Sequence, residues 1–307
     1  RLNEAMRQPF EVNGVPVIVT ASIGVATGQG STHSADDVMR CAETALHALK
    51  QKGRDGWQFF NDYQHHQALQ RLNVTLGLRG AIENQELQAR FQPILSSDRG
   101  RIVGAELLLR WFPPQGEVSP AVFIPIAEMS GAILPIGLWV FRAGCLAEVE
   151  WRRRWGTHAP YVSVTLPARQ LSDESLVDDM SRVLRETEAD PSRIVLEVTE
   201  TALMADIDAN LLVLRRLADL GLRLAVDDFG TGYSSLAQLT RLPVSILKID
   251  RAFVDGIETR HESRAVVRAV IGLGRSLGLT LVAGGVETQG QHLELLNGQC
   301  RQLKQQK

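Results

Sequence analysis

Charged side chains stand near the ends of apolar runs along most of the chain. The clearest case is the adjacent pair Asp227 and Asp228, which follows the run LRLAV and comes shortly before a glycine. Because neighbouring residues of a strand point to opposite faces, both carboxylates can face one site only where the strand is ending. Other ionisable residues in such positions are Glu106, Arg110, Glu197, Glu200, Lys248, Asp250 and Glu287.

Carboxylates gathered at one site repel one another, and either a divalent cation or a raised pKa relieves that repulsion. Oxygen ligands without Cys or His favour Mg or Mn over Zn. Two such ions that share an aspartate stabilise the attacking and leaving oxygens of phosphoester hydrolysis. Arg110 and Lys248 are residue types that bind phosphate oxygens. The pattern therefore indicates a metal-assisted site for a phosphodiester.

The elements that position these residues alternate along the second part of the chain. Runs rich in Leu, Ile and Val are separated by segments of helical periodicity, and we predict seven strands. They cover residues 91–95, 102–111, 161–166, 193–200, 222–229, 245–250 and 280–286. This alternation predicts a parallel sheet covered by helices, either an open doubly wound sheet or a barrel. Because charges follow many strands rather than one switch point, we favour a (β/α)8 TIM-like barrel.

The eighth strand of such a barrel is not evident. After Cys300 the chain offers only the residues RQLKQQK. We therefore expect the last strand to be missing or altered. A barrel left open in this way would expose two unpaired strand edges.

The first part of the chain has a different organisation. Residues 16–27 predict a strand, residues 35–52 a helix, and the segment WQFF a further strand, which together resemble the tail of an α+β domain. A polar helical connector follows from Asp62 to about Gln85. Because the chain begins at Arg1 in the middle of this pattern, we expect it to be a piece of a longer protein.

Composition excludes several classes of protein. A formal net charge of -2 gives no strongly positive field, which argues against binding of a nucleic-acid polymer. Cys41, Cys145 and Cys300 are far apart and form no CxxC pair, so a disulfide scaffold and structural zinc are excluded. No apolar run approaches the ~20 residues that span a bilayer. We expect a cytoplasmic location for this piece and leave open a membrane anchor in the full-length protein.

Seven segments together resemble the EAL-domain family of cyclic di-GMP phosphodiesterases. They are FQPI, GAELLLRW, FIPIAEMSG, LEVTE, DDFGTGYSSL, LKID and VAGGVET. The segments ASIGVA and KGRDGWQFF similarly resemble the last part of a GGDEF domain, whose signature loop is outside this chain. The resemblance divides the chain into a GGDEF fragment (1–62), a helical linker (63–86) and an EAL domain (87–307), and it implies cyclic di-GMP as the ligand.

The resemblance also implies roles for the charged residues. Glu106, Glu197 and Asp227 would bind a first Mg or Mn ion, and Asp227 would bridge to a second ion that Asp228 also binds. Lys248 would position the attacking water or the phosphate. Lys248 and Asp228 are thus expected to act in catalysis, with one or two metal ions as cofactors.

Further roles follow from the same resemblance. Gln92 and Arg110 would contact the dinucleotide, and Glu200 would hold the DDFGTGYSS loop, which begins at Asp227. Glu287 would support catalysis next to the metal ligands. Since EAL-like barrels commonly pair, the resemblance also implies a homodimer.

Two departures from the family pattern bear on activity. Thr165, in VTLP, stands where the family has an Asn that binds the first metal, and a hydroxyl is a weaker donor than an amide carbonyl. Gly284, in AGGVE, replaces the carboxylate that serves the second metal and activates water. Loss of a general base typically costs ~10²- to 10⁴-fold in rate. We therefore expect an incomplete second metal site and impaired catalysis.

Three functions remain open from the sequence. The first, which we favour, is a catalytically impaired barrel that serves as a cyclic di-GMP receptor, because ligand binding can survive loss of the base. The second is an active metal-dependent phosphodiesterase that gives the linear dinucleotide. The third is an interaction module that binds neither nucleotide nor metal, which the missing strand would favour.

Overall fold

The computed structural model describes residues 9–12, 15–27, 34–51, 53–60, 62–230 and 236–305. The chain divides into two compact units, residues 1–74 and 75–307. Each is described by itself. Within the described ranges, every helix is too short or too polar to cross a membrane.

The described residues of the first unit form two small sheets, one long helix and most of a second helix that continues past residue 74. Strands β1 (Phe10–Val12) and β2 (Val15–Val17) pair in antiparallel fashion. Strand β3 (Ser22–Val25) pairs in parallel with β4 (Gly56–Phe59), and helix α1 (Ala35–Gln51) lies between them in sequence. A parallel pair needs such a crossover connection.

The sequence prediction for this region is partly wrong. The single strand expected over residues 16–27 is divided, because β2 ends at Val17 and β3 begins at Ser22. The connector expected to be helical to about Gln85 forms helix α2 (Asp62–Leu78), and turns follow it.

The second unit is a closed eight-stranded barrel. Its strands are β5 (Leu87–Ser96), β6 (Ile102–Trp111), β7 (Tyr161–Thr165), β8 (Ile194–Thr199), β9 (Arg223–Phe229), β10 (Ile246–Ile249), β11 (Thr280–Val286) and β12 (Gln302–Gln305). The order around the barrel is β10, β11, β12, β5, β6, β7, β8, β9. Strand β5 runs antiparallel to both of its neighbours, and the other pairs are parallel.

Helices connect the parallel strands, as the apolar strands and amphipathic segments predicted. They are α3 (Pro120–Ser130), α4 (Ile133–Trp155), α5 (Ala168–Leu171), α6 (Leu176–Thr187), α7 (Glu200–Ala205), α8 (Ile207–Asp219), α9 (Leu236–Leu239), α10 (Arg251–Val254), α11 (His261–Ser276) and α12 (Gln289–Asn297). The predicted (β/α)8 class is confirmed.

The expectation of a missing last strand is wrong. Strand β12 pairs in parallel with β11 and in antiparallel fashion with β5, so the barrel has no open edge at this point. Leu303 is buried on one face of β12. On the other face, Gln302 accepts a hydrogen bond from the Tyr161 hydroxyl at 2.7 Å. Apolar patterning does not predict this strand, because its inner face is polar.

The barrel interior is built in layers. One layer contains buried side chains from six strands: Ile94, Tyr161, Val195, Ala225, Ile246 and Val282. Residues two apart on a strand share a face. The next layer toward the barrel mouth therefore contains Gln92, Ser163, Glu197, Asp227, Lys248 and Gly284, and the strand register places Glu106 opposite Gln92. Because side chains alternate between the two faces of each strand, the predicted acids lie together in this layer.

Candidate functional site

The centre of the site is the ammonium group of Lys248. It donates to Glu106 Oε2 at 3.0 Å, to Glu197 Oε2 at 2.5 Å and to Asp227 Oδ2 at 3.0 Å. Lys248, Glu106 and Glu197 are buried, while Asp227 keeps 19% of its side chain exposed. Four residues predicted from four separate strands are therefore in direct contact. We call Glu106, Glu197, Asp227 and Lys248 the acid cluster.

Burial and charge oppose each other in the acid cluster. Burial alone would lower the pKa of Lys248, but Glu197, Asp227 and Glu106 raise it well above its ordinary value. Burial raises the pKa of Glu197 to about 7, although Lys248 acts to lower it. For Glu106, burial acts to raise the pKa, but the ammonium groups of Lys248 and Lys304 together lower it. Lys248 is thus charged and Glu106 ionised at neutral pH.

Sequence reasoning missed two side chains that contact the acid cluster. The Ser163 hydroxyl donates to Glu197 Oε1 at 2.5 Å, and the Lys304 ammonium donates to Glu106 Oε2 at 2.6 Å. Ser163 could have been found, because it lies two residues before Thr165 on the same face of β7. Lys304 was missed together with its strand.

The end of β9 separates the two adjacent aspartates. Asp227 turns toward Lys248, and its Oδ1 accepts from the Asp228 backbone N–H at 3.0 Å. Asp228 has a φ of 53°, in the left-handed region that aspartate tolerates better than most residues. Burial, followed by the nearby Asp227 and Asp250 carboxylates, raises the pKa of Asp228 to about 6. Glu200, buried at the start of α7, accepts from the Gly230 N–H at 2.8 Å, although it precedes that residue by 30 positions in the chain.

A cavity of about 550 Å³ opens at the carboxyl ends of β6, β7 and β8. Arg110, Thr165 and Thr199 contribute polar groups to its wall, and Ile124 and Ile133 from α3 and α4 are among its apolar residues. A mostly apolar cavity with a few polar groups at its edge is typical of small-molecule sites.

Thr165 lines this cavity and makes none of the hydrogen bonds described for the acid cluster. It is exposed, and it lies opposite Glu197 in the register of β7 and β8. The hydroxyl that contacts Glu197 is that of Ser163 instead. The cavity and the acid cluster are therefore neighbours, joined through β7 and β8.

Other predicted residues are placed around the acid cluster. Gln92 is half-buried and lies opposite Glu106 in the β5–β6 register. Arg110 has its Nε 3.7 Å from Glu117 Oε1. Glu287 accepts from Arg251 Nη2 at 3.0 Å and is 46% exposed. The structure does not bring Glu287 to Lys248.

The two adjacent glycines of β11 are in different environments. Gly285 has a φ of 72°, and a Cβ atom there would lie 2.4 Å from the Arg251 side chain, so the backbone requires glycine. A Cβ atom at Gly284 would lie 3.4 Å from the carbonyl oxygen of Ile249, a close but workable contact. The backbone therefore does not require glycine at position 284, where the sequence comparison placed a lost carboxylate.

The acid cluster as arranged does not fit a divalent ion. Three carboxylates have suitable donor chemistry. However, Lys248 and Lys304 both contact Oε2 of Glu106, and Lys248 also contacts Glu197 and Asp227. Within the described ranges, no set of three or more His, Cys, Asp or Glu side chains is arranged to hold a metal.

Comparison with known proteins identifies relatives along nearly the whole chain. The bifunctional diguanylate cyclase/cyclic di-GMP phosphodiesterase MucR of Pseudomonas aeruginosa is 38% identical over 306 residues, covering 99% of this chain and 44% of that protein. The oxygen sensor protein DosP of Escherichia coli is 34% identical over 304 residues, covering 99% of this chain and 38% of that protein. The chain thus spans less than half the length of these relatives.

Solved structures with the same barrel include complexes with a nucleotide. The PaMucR phosphodiesterase in complex with c-di-GMP superposes with a TM-score of 0.73 at 40% identity, covering 76% of this chain and 94% of that one. The FimX EAL domain from Pseudomonas aeruginosa bound to c-di-GMP gives a TM-score of 0.68 at 25% identity, covering 76% and 93%.

Family models match both parts of the chain and confirm the resemblance seen in the sequence. The model of the GGDEF domain, described as a diguanylate cyclase domain, matches residues 1–56. The EAL-domain model matches residues 77–303, which is more than half of the chain. Phosphodiesterases of the EAL family generally depend on divalent metal ions. The chain therefore belongs to the EAL-domain family of cyclic di-GMP signalling proteins and carries a GGDEF fragment at its amino-terminal end.

Proposed function

We propose that this EAL domain is a receptor that binds cyclic di-GMP and hydrolyses it very slowly or not at all. The observation that carries the proposal is Gly284, which lies in the mouth layer of the barrel without a carboxylate although the backbone leaves room for a side chain. Glycine supplies neither a metal ligand nor a base.

Ligand binding is supported by groups that do not depend on Gly284. The cavity at the ends of β6, β7 and β8 offers an apolar wall for a flat base, with Arg110 at its edge for a phosphate or a base edge. Lys248 and Lys304 supply positive charge at the acid cluster, where both contact Glu106. The EAL domains of PaMucR and FimX, which have the same fold, are described in complex with c-di-GMP.

Impaired catalysis is supported by the placement of the two residues nearest in type or position to a substitute for the lost carboxylate. Glu287 is engaged by Arg251 away from the acid cluster, and Thr165 faces the cavity. Without a base to activate water, the rate should fall by ~10²- to 10⁴-fold.

The alternative function is an active metal-dependent phosphodiesterase that gives the linear dinucleotide. It is favoured by the retention of Glu106, Glu197, Asp227, Asp228 and Lys248. It requires at least one Mg or Mn ion, and the second ion would lack the carboxylate missing at Gly284. Closure of the barrel by β12 removes the reason for considering a pure interaction module.

Two measurements on the intact chain test the proposal. Calorimetry with cyclic di-GMP in Ca²⁺ buffer should detect binding, and an Arg110→Ala variant should weaken it. Chromatography of the nucleotide in Mg²⁺ or Mn²⁺ buffer should detect little linear product. A turnover of about 1 s⁻¹, typical of working enzymes, would contradict the receptor assignment. Absence of binding would reject both functions.

The wider organisation of the protein is also a proposal. We propose a GGDEF fragment over residues 1–62, a linker over 63–86 and the EAL domain over 87–307, in a cytoplasmic protein that pairs as a homodimer. Sedimentation velocity of the purified chain tests the homodimer, which predicts a single species of twice the chain mass of 33.8 kDa.

A further inference from the structure

The closing strand brings a second lysine to the acid cluster. Lys304 Nζ lies 2.6 Å from Glu106 Oε2, and Lys248 Nζ lies 3.0 Å from the same oxygen. Two ammonium groups therefore share one carboxylate oxygen, although Lys304 follows Glu106 by 198 residues in the chain.

The position of Lys304 is fixed by its strand. Gln302 and Lys304 share the inner face of β12, and the Tyr161 hydroxyl holds Gln302 at 2.7 Å. Leu303 between them is only 2% exposed and anchors the opposite face. Since a slip of one residue would turn Lys304 to the apolar face and Leu303 to the polar inner face, the register is strongly specified.

Two ammonium groups lie against the three carboxylates of the acid cluster. Each lysine contributes one positive charge, so Lys248 and Lys304 together supply the same formal charge as one divalent ion. Lys304 keeps 19% of its side chain exposed, compared with 4% for Lys248. An ammonium has three hydrogens to donate. Lys304 is therefore the lysine that an incoming anion meets first.

We propose that Lys304 is a nucleotide-binding residue which, together with Lys248, supplies the positive charge that a divalent ion supplies in other EAL domains, so that this barrel binds cyclic di-GMP without metal. This inference rests on the proposed receptor function. The ammonium of Lys304 donates to a phosphate oxygen of the ligand while it stays close to Glu106. A metal ion has to displace both lysines from Glu106 before it can bind there.

The test is calorimetric titration of cyclic di-GMP into the intact chain, once in EDTA and once in excess Mg²⁺. For the unaltered chain we expect affinities that agree within about twofold. A Lys304→Met variant, which keeps the length of the side chain, should lose about 10- to 100-fold of its affinity in EDTA, as expected for a hydrogen bond to a charged group. Mg²⁺ should restore part of that loss, because only Lys248 then competes with the ion for Glu106. Lys304→Arg should retain most of the affinity.

The matched control is Lys50→Met, which removes the same charge from an exposed position of α1 in the other unit. It should bind as the unaltered chain does. Binding that requires Mg²⁺ in the unaltered chain overturns the inference and leaves the receptor function intact. Equal affinity of Lys304→Met and the unaltered chain in EDTA also overturns it. The inference is overturned as well if Mg²⁺ changes the affinity for cyclic di-GMP by the same factor in both proteins. No binding in either buffer rejects the proposed function itself, and the inference with it.

Discussion

The hydroxyl of Ser163 donates to Glu197 Oε1 at 2.5 Å, while Lys248 holds the other oxygen of the same carboxylate. Glu197 is only 1% exposed, so these two donors replace the water that a carboxylate would otherwise bind. Ser163 therefore helps to keep a buried acid in place at the centre of the barrel.

Replacing Ser163 by Ala should destabilise the barrel. The substitution leaves Glu197 Oε1 without this donor, and an unsatisfied buried polar group costs about 1–3 kcal/mol. We expect a lower midpoint of urea unfolding, followed by circular dichroism. Ser276→Ala is the control, since Ser276 donates only to a backbone carbonyl on an exposed helix face. Equal midpoints for the two variants would show that the Ser163 bond contributes little.

Leu303 provides a test of the closing strand. Its side chain is 2% exposed, and truncating a buried Leu to Ala costs about 2–5 kcal/mol. Leu303→Ala should therefore unfold at clearly lower urea concentration. Leu293→Ala, at a position that is 50% exposed, should change the free energy of unfolding by less than about 0.5 kcal/mol. If both variants behave alike, β12 does not close the barrel in solution.

The cysteines differ in their expected reactivity. Burial raises the pKa of the Cys145 and Cys300 thiols to about 12, so at pH 8 they are protonated and unreactive. Cys41 is partly exposed on α1. A thiol-reactive dye should label the native chain once, at Cys41, and the denatured chain three times. A Cys41→Ser variant that still reacts rapidly when native would show that the buried thiols are accessible.

The sequence predicted the strands with apolar patterns well. Strands over 102–111 and 280–286 were predicted with the bounds that the structure gives. Both combine a run of Leu, Val or Ala with a charged or glycine-rich end. The alternation of side chains along such strands also explains why Glu106, Glu197, Asp227 and Lys248 could be assigned to one site before any coordinates were known.

The sequence analysis missed strand β12 and Lys304 for the same physical reason. Apolar patterns find faces that pack against a hydrophobic core, whereas the inner face of β12 packs against polar groups, Gln302 against Tyr161 and Lys304 against Glu106. These partners come from strands far away in sequence, so no local pattern marks them. Thr165, which stands at the ligand position of the family pattern, lines the cavity and lies opposite Glu197 in the β7–β8 register, and its role as a metal ligand stays a prediction.

Gly284 offers the most direct test of the lost activity. A Gly284→Glu variant should fold normally, because its Cβ atom meets the Ile249 carbonyl oxygen at 3.4 Å and the backbone needs no left-handed φ. The new carboxylate restores a base at the barrel mouth, so we expect hydrolysis of cyclic di-GMP in Mn²⁺ to rise by about 10²-fold or more.

Gly285→Glu is the matched control for this experiment, since it adds the same side chain one residue along β11. There the φ of 72° and the contact of 2.4 Å with Arg251 predict a destabilised chain without a gain in hydrolysis. If Gly284→Glu folds but gains no activity in Mn²⁺, the missing carboxylate is not what limits the rate of hydrolysis. The lysines that hold Glu106 then become the next groups to change. Combining Gly284→Glu with Lys304→Met leaves Glu106 held by Lys248 alone, so a metal ion has one ammonium group to displace instead of two and the rate should rise further.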